Sequence, residues 1–377
     1  MAVENGGMLF YTEHRYYGQS WPHENNSLSV KDLTHLSLEQ ALADLAHFIR
    51  DQKSRNPKLT HSKVVLIGGS YSGSMVAWMT QLYPELFSAS WASSAPLMAK
   101  SDFYEYMQLV NNSIQLSYGR NCTERLEKGL SHLVELFNSN KTTELLKKLN
   151  ACENYNANDE LDRISFFNGI GNYLALIVQS YRAYIPSLCH KLMTMQSSEE
   201  KALQRLLEQL YAADKLCQDF SYQSMLQLFG EHTDQSTGTR AWFYQTCNQF
   251  GWYTTTIWAN NSSFGGQVPL WYFQRLCRDA FGPGQKPNKL EAGIAQLNEQ
   301  FGGLDFNQKE RYRQVIFTHG QLDPWRAMGQ QVGNQAIVLP GYSHVEDLAS
   351  INVRDTVPMN LAKLRVMSFL RRHMAAI

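Results

Sequence analysis

Three residue types placed at three points of the chain could together carry out acyl transfer. Ser70 lies in Val64-Val65-Leu66-Ile67-Gly68-Gly69-Ser70-Tyr71-Ser72-Gly73-Ser74, Asp323 in Thr318-His319-Gly320-Gln321-Leu322-Asp323-Pro324-Trp325, and His344 in Pro340-Gly341-Tyr342-Ser343-His344-Val345. A serine hydroxyl is a poor nucleophile until a neutral imidazole takes its proton. The imidazole in turn needs a buried carboxylate that fixes its tautomer and stabilises its charged form. The implied chemistry is attack by Ser70 on an acyl carbon through a covalent intermediate. Each assignment competes with a plainer one. A Gly/Ser-rich strand-to-helix turn needs no chemistry, Asp323 before a proline can simply start a turn, and Asp347 or Glu346 could be the acid instead. His14, crowded by Arg15 and two tyrosines, reads as structural, and His319 as a turn or core residue.

The elements that must position these groups follow from the apolar pattern. Val64–Ile67 reads as a strand buried on both faces, and Met75, Val76, Met79 and Leu82 recur at helical spacing until Pro84. Ser70 therefore stands on a sharp strand-to-helix turn that projects its hydroxyl at the end of a sheet. The usual form of this turn has glycine two residues after the nucleophile, where Ser72 stands. Met8–Tyr11 and Ser88–Ser94 read as further strands. Ser37 with Gln40 reads as a capping box for a helix to about Gln52, with Leu38, Ala41, Leu42, Leu45 and Ile49 on one face. This alternation predicts a parallel α/β sheet over residues 1–100. It lapses over 101–305, where Leu126, Leu130, Leu133 and Phe137 share one helical face. Ser197 and Glu200 are expected to cap a helix carrying Leu203, Leu206, Leu207 and Leu210. It returns over 306–377 with the strands Gln314–Phe317 and Ala336–Leu339. Serine, acid and histidine in that chain order, the last two just past strands, are the order of the α/β-hydrolases.

Composition narrows the class. In 377 residues, 44% are apolar and 18% charged, and 34 Lys+Arg balance 34 Asp+Glu, so no electrostatic case for nucleic acid or an anionic membrane arises. No apolar run approaches a membrane span, and Met1–Gly7 lacks the basic start and apolar core of a signal peptide. Taken alone, that reads as cytoplasmic. The cysteines and glycosylation acceptors point the other way. Cys122, Cys152, Cys189, Cys217, Cys247 and Cys277 all fall in the central region, fit no zinc spacing and predict three disulfides. Acceptor tripeptides begin at Asn25, Asn111, Asn121, Asn140, Asn260 and Asn261. An oxidising compartment and an incomplete amino terminus reconcile the two. No metal or cofactor is expected.

The turn Glu13-His14-Arg15-Tyr16-Tyr17-Gly18, the elbow Gly68-Gly69-Ser70-Tyr71-Ser72-Gly73, the run Leu322-Asp323-Pro324-Trp325 and Ser343-His344 resemble the family of prolyl carboxypeptidase, dipeptidyl peptidase II and thymus-specific serine protease, most closely its thymus-specific branch. The resemblance implies an α/β-hydrolase sheet, amino-terminally incomplete, with a mostly helical, cysteine-containing cap inserted between its strands. It implies a secreted or lysosomal serine exopeptidase that favours proline before the cut, takes a peptide substrate and admits a homodimer. Ser70 would be nucleophile, Asp323 orienting acid and His344 general base, with the Tyr71 backbone N–H giving half the oxyanion hole. Trp242, Tyr244 and Gln245, within a segment similar to the family's cap motif, would line the substrate pocket. The alternative is a catalytically silent or truncated peptide-binding homologue. Two departures matter: Asn248-Gln249 stands where relatives commonly carry Thr-Glu, and the relatives' signal peptide, first strands and glycine-rich loop have no counterpart before Met8. Without the intervening strand, Met8–Tyr11 is expected either to pair directly with Val64–Ile67 or to leave both edges unpaired.

Overall fold

The computed structural model describes residues 2, 5–23, 27–212, 216–230, 237–258, 261–305 and 312–375. Its first helix, α1 (Leu38–Arg55), opens where expected and runs one turn further. Ser37 Oγ accepts from Gln40 N at 3.4 Å, but the Gln40 side chain accepts from Arg15 instead of closing the capping box. β1 (Val65–Gly69), α2 (Tyr71–Leu82) and β2 (Ala89–Ser93) follow. The chain then leaves the sheet. The insertion comprises β3 (Lys100–Asp102), α3 (Tyr104–Tyr118), α4 (Arg120–Phe137), α5 (Thr142–Lys148), α6 (Glu160–Ser180), α7 (Ile185–Thr194), α8 (Glu199–Ala212), α9 (Tyr222–Leu228) and α10 (Thr239–Gln245), then β4 (Gly251–Tyr253), β5 (Ile257–Trp258), β6 (Asn261–Ser262), α11 (Leu270–Phe281) and α12 (Pro287–Phe301). β7 (Val315–Gly320), β8 (Ala336–Leu339) and α13 (Val357–Ala375) complete the order.

β1, β2, β7 and β8 form one parallel sheet in that spatial order, with Val65 opposite Ala89, Ser90 opposite Val315 and Phe317 opposite Ala336. Parallel strands need both faces covered. On one face Val76 and Ala77 of α2 pack on Ala92, Val315 and Phe317; on the other, Val366, Phe369 and Leu370 of α13 pack on Ala89, Trp91 and Ile316. β2 is buried throughout, whereas β1 lies at the edge of this sheet, so Val64–Ile67 is not buried on both faces as expected: Val64, Val65 and Leu66 are half-buried and Ile67 is 43% exposed.

Met8–Tyr11 is not a strand. It makes no ladder with β1, and all four side chains are exposed, Tyr11 at 91%. An apolar run becomes a strand only if a neighbouring backbone takes up its N–H and C=O groups. Here Phe10 instead packs edge-on against Phe48 of α1, ring centroids 5.6 Å apart.

In the insertion the expected face of α4, Leu126, Leu130, Leu133 and Phe137, is buried and α4 packs on α8; of the expected α8 face Leu203 and Leu207 are buried and Leu206 is half-buried, but Leu210 at the helix end is exposed. Gly129 permits that approach, since a Cβ there would lie 2.4 Å from Leu203 Cβ. α8 begins at Glu199, so its cap falls one residue beyond Ser197. Three disulfides cross-link the insertion: Cys122–Cys189, Cys152–Cys217 and Cys247–Cys277. None of the described helices is long and apolar enough to cross a membrane.

Candidate active site

Ser70 follows β1 directly and is the N-cap of α2, at φ 58° and ψ −132°. Side chains rarely adopt that backbone region, and such strain persists only where surrounding bonds over-determine it. Ser70 N donates to Ser93 O at 2.9 Å, and Ser74 N to Ser70 O at 3.1 Å. Gly68 is obligatory in this turn, because a Cβ there would lie 2.4 Å from Ser72 O. Ser72, where glycine is usual, earns its place through its hydroxyl. Its Oγ donates to Gly69 O at 2.7 Å and accepts from Gly69 N at 3.0 Å, so it pins the strand end to the helix start. Tyr71 N is among the first N–H groups of α2, which have no acceptor within the helix and lie at its positive end.

Asp323 and His344 meet at the same carboxyl edge of the sheet. Asp323 is fully buried, and both of its carboxylate oxygens lie 3.0 Å from His344 Nδ1. A carboxylate can only accept, so Nδ1 carries the proton and Nε2 is left to accept one. Trp325 N also donates to Asp323 Oδ1, at 3.0 Å. The two loops are zipped together by Leu322 N to Tyr342 O at 2.8 Å. A Cβ on Gly320 would lie 2.3 Å from Ser343 O, so only glycine admits this approach.

The histidine loop is also fastened to β2. Ser94, at φ 51°, accepts from Val345 N at 2.9 Å, and Ser93 Oγ donates to Asp347 Oδ1 at 2.5 Å. Burial pushes the Asp347 carboxyl above its ordinary range. The two alternative acids thus have other partners: Asp347 bonds Ser93, and Glu346 pairs with Arg182 at 2.6 Å and accepts from Ser343 N. His319 is buried in the adjacent strand, where burial lowers its pKa to about 4.

Ser70 and His344 come together through their neighbours. A Cβ on Gly69 would lie 2.6 Å from Val345 Cγ1, so the elbow and the histidine loop are in contact. Among the described residues, the Ser70 hydroxyl makes no hydrogen bond to the imidazole. Such bonds commonly tighten only when substrate is bound.

The insertion supplies the opposite wall. Tyr71 lies 5.4 Å from Trp242 and 5.3 Å from Phe250, ring to ring; Phe250 stacks on Trp252 at 4.7 Å, and Trp252 meets Trp325 edge-on at 5.7 Å. A continuous run of packed aromatic rings therefore links the elbow to the acid loop, with Phe250 and Trp252 buried within it. After α10 the chain makes a π turn, Thr246–Phe250, which carries Phe250 inward. Gln245 is fully buried; its Nε2 donates to Tyr71 OH at 2.9 Å and its Oε1 accepts from Tyr17 OH at 2.6 Å. His14 completes this network, with Nε2 3.3 Å from Tyr71 OH and Nδ1 2.7 Å from Arg15 O, and burial lowers its pKa. Tyr244 is buried edge-on against Phe281. Of the three expected pocket residues, Trp242 is the one that is only partly buried. Gln249 accepts from Leu38 N at 2.9 Å and so helps cap α1.

Several residues around the site carried no sequence signal: Ser93 and Ser94 behind the histidine loop, Tyr106 beside the acid loop, and Gln179 at the end of α6. Ser93 and Ser94 lie at the end of the expected strand Ser88–Ser94, where the observed strand stops at Ser93. Comparison with known proteins decides the family: the model of serine carboxypeptidase S28 matches residues 1–366. The chain belongs to that family. It is a serine peptidase on an α/β-hydrolase fold, and its substrate class is peptide. A putative serine protease of Caenorhabditis elegans is 26% identical over 98% of this chain and 75% of its own length. Mouse thymus-specific serine protease is 28% identical over 97% and 74%, and human lysosomal Pro-X carboxypeptidase 26% over 96% and 74%, respectively.

Proposed function

We propose that this serine peptidase is an exopeptidase that cuts near a chain end, with proline preferred before the cut, using Ser70, Asp323 and His344. The observation that carries the reading is the buried Asp323–His344 pair in a loop that touches the Ser70 elbow. Ser70 Oγ attacks the peptide carbonyl while its proton passes to His344 Nε2, and the Asp323 carboxylate stabilises the imidazolium. Tyr71 N–H bonds the oxyanion. The imidazolium then protonates the leaving amine, and water, deprotonated by the same nitrogen, hydrolyses the Ser70 ester. In this reading residues 1–100 and 306–377 form the hydrolase unit and 101–305 the cap. Trp242, Tyr244 and Gln245 belong to the pocket wall: Trp242 touches substrate, and Gln245 acts by holding the Tyr71 ring. The compact apolar ring of proline suits the partly exposed indole of Trp242. The three disulfides, together with relatives such as the lysosomal Pro-X carboxypeptidase, support a secreted or lysosomal setting.

A fluorophosphonate probe tests the assignment. It is expected to label Ser70, and Ser70→Ala to abolish labelling; labelling at Ser72 or Ser74 would overturn the elbow. A second reading, a silent peptide-binding homologue, predicts peptide binding with no labelling. End-blocked proline peptides then separate cutting at the amino end from cutting at the carboxyl end.

A further inference from the structure

We infer that Gln179, in the last turn of α6, is a positioning residue that holds the acid loop and the histidine loop in register from the helical insertion. The inference rests on the reading of Asp323 and His344 as the acid–base pair. Helix ends leave carbonyls without intrahelical partners, and the end of α6 offers two of them to the histidine loop. Gln179 O accepts from His344 N at 3.3 Å, and Val178 O accepts from Ser343 Oγ at 2.6 Å.

The Gln179 side chain reaches the other loop. Its Oε1 accepts from Trp325 Nε1 and from Tyr106 OH, each at 2.7 Å. Trp325 N is itself bonded to Asp323 Oδ1. One residue therefore grips the base through its main chain and the acid through its side chain. Both lone pairs of that oxygen are used, and a hydrocarbon in its place would strand two donors, one of them the buried Tyr106 hydroxyl. The geometry also has an electrostatic side. The C-terminal end of a helix carries partial negative charge, here directed at the loop whose imidazole becomes positive when it takes the serine proton. His319, Asp347, Arg326 and the Tyr106 hydroxyl interact electrostatically with the Asp323 partner of that imidazole, and the Arg182–Glu346 pair stands on the histidine loop. Gln179 is uncharged, so it can be changed without removing any of them.

The test uses the whole chain as Gln179→Leu and Gln179→Glu, reading the rate of fluorophosphonate labelling of Ser70 against pH beside a thermal melt. Gln179→Leu is expected to label at least ~10-fold more slowly, since small misplacements of reacting groups are costly. Gln179→Glu keeps the acceptor oxygen. It is expected to label within ~3-fold of the parent rate, with the pH of half-maximal labelling raised by ~0.5 to 1 unit, because added negative charge favours the charged imidazole. Parent-like rates and midpoint in both variants would overturn the inference. Equal slowing of both with an unmoved midpoint would also overturn it and reduce Gln179 to packing. Should Gln179→Leu fail to fold, the midpoint of Gln179→Glu decides alone. Absence of labelling in the parent chain would instead be a failure of the Ser70 reading.

Discussion

The carboxyl edge of the sheet and the helical insertion face each other across Ser70, and they are made rigid by different means. The sheet side has no cysteine. Its parallel ladder fixes where each strand ends, and side-chain bonds from the strand ends, such as Ser93 to Asp347 and Ser94 to Val345, fix the loops. The insertion has all six cysteines, and its three bridges close separations of 67, 65 and 30 residues. The contrast has a physical basis. Strand pairing specifies position residue by residue, whereas helices joined by long connections can shift against each other unless cross-links limit the alternatives. On the proposed assignment, the groups that need sub-ångström placement stand on the ladder, and the surface proposed to meet substrate stands on the cross-linked helices.

The comparison breaks first on the sheet side. Asp323→Asn is expected to lower turnover of a proline-containing peptide by ~10³- to 10⁴-fold with KM little changed, as steady-state kinetics would show. The amide keeps the shape but no longer holds Nδ1 as the protonated nitrogen. A fall of less than tenfold would move the acid elsewhere, with Asp347 the next candidate.

The insertion answers through stability. Replacing both cysteines of any one bridge by alanine is expected to cost ~2 to 4 kcal/mol in denaturant unfolding on the chain-entropy account. Function separates two of the bridges. Cys247 lies two residues past Gln245, in the π turn that carries Phe250, so loss of Cys247–Cys277 is expected to raise KM. Loss of Cys152–Cys217, remote from the pocket, is expected to leave KM unchanged. Equal KM effects from both would mean that the bridges brace the insertion as one body.

The smallest effect sharpens the sheet side by pH. His319 is buried with its pKa lowered from 6.5 to about 4, so the unfolded chain binds more protons between those values. Stability from this group is complete above pH 6.5 and is lost as pH falls toward 4, by ~3 kcal/mol at the limit. Asp347, whose pKa is raised, acts oppositely and weakens the fold as pH rises through its titration. His319→Gln is therefore expected to flatten the acid limb of a stability–pH curve measured by urea unfolding. An unchanged limb would place the proton uptake elsewhere.

What was legible in the chain is local. Four apolar residues before Gly68-Gly69-Ser70 announce a strand and a tight turn but not its place at the sheet edge, and helical spacing chose the buried faces of α1 and α4, because burial of an amphipathic element depends on its own periodicity. The positions of Asp323 and His344 could be read for the same reason, since each stands just past a short apolar run. An even set of cysteines in one region announced cross-links. Met8–Tyr11 looked like a strand by the same local rule and is not one, because a strand also requires a partner that no local pattern supplies. The pairing of the cysteines, the burial of the Gln245 amide between Tyr17 and Tyr71, and the grip of Gln179 on two loops were decided by tertiary structure alone. Each depends on residues far apart in sequence being brought within 3 Å or so by the path of the whole chain, and nothing in the spacing of either partner encodes that path.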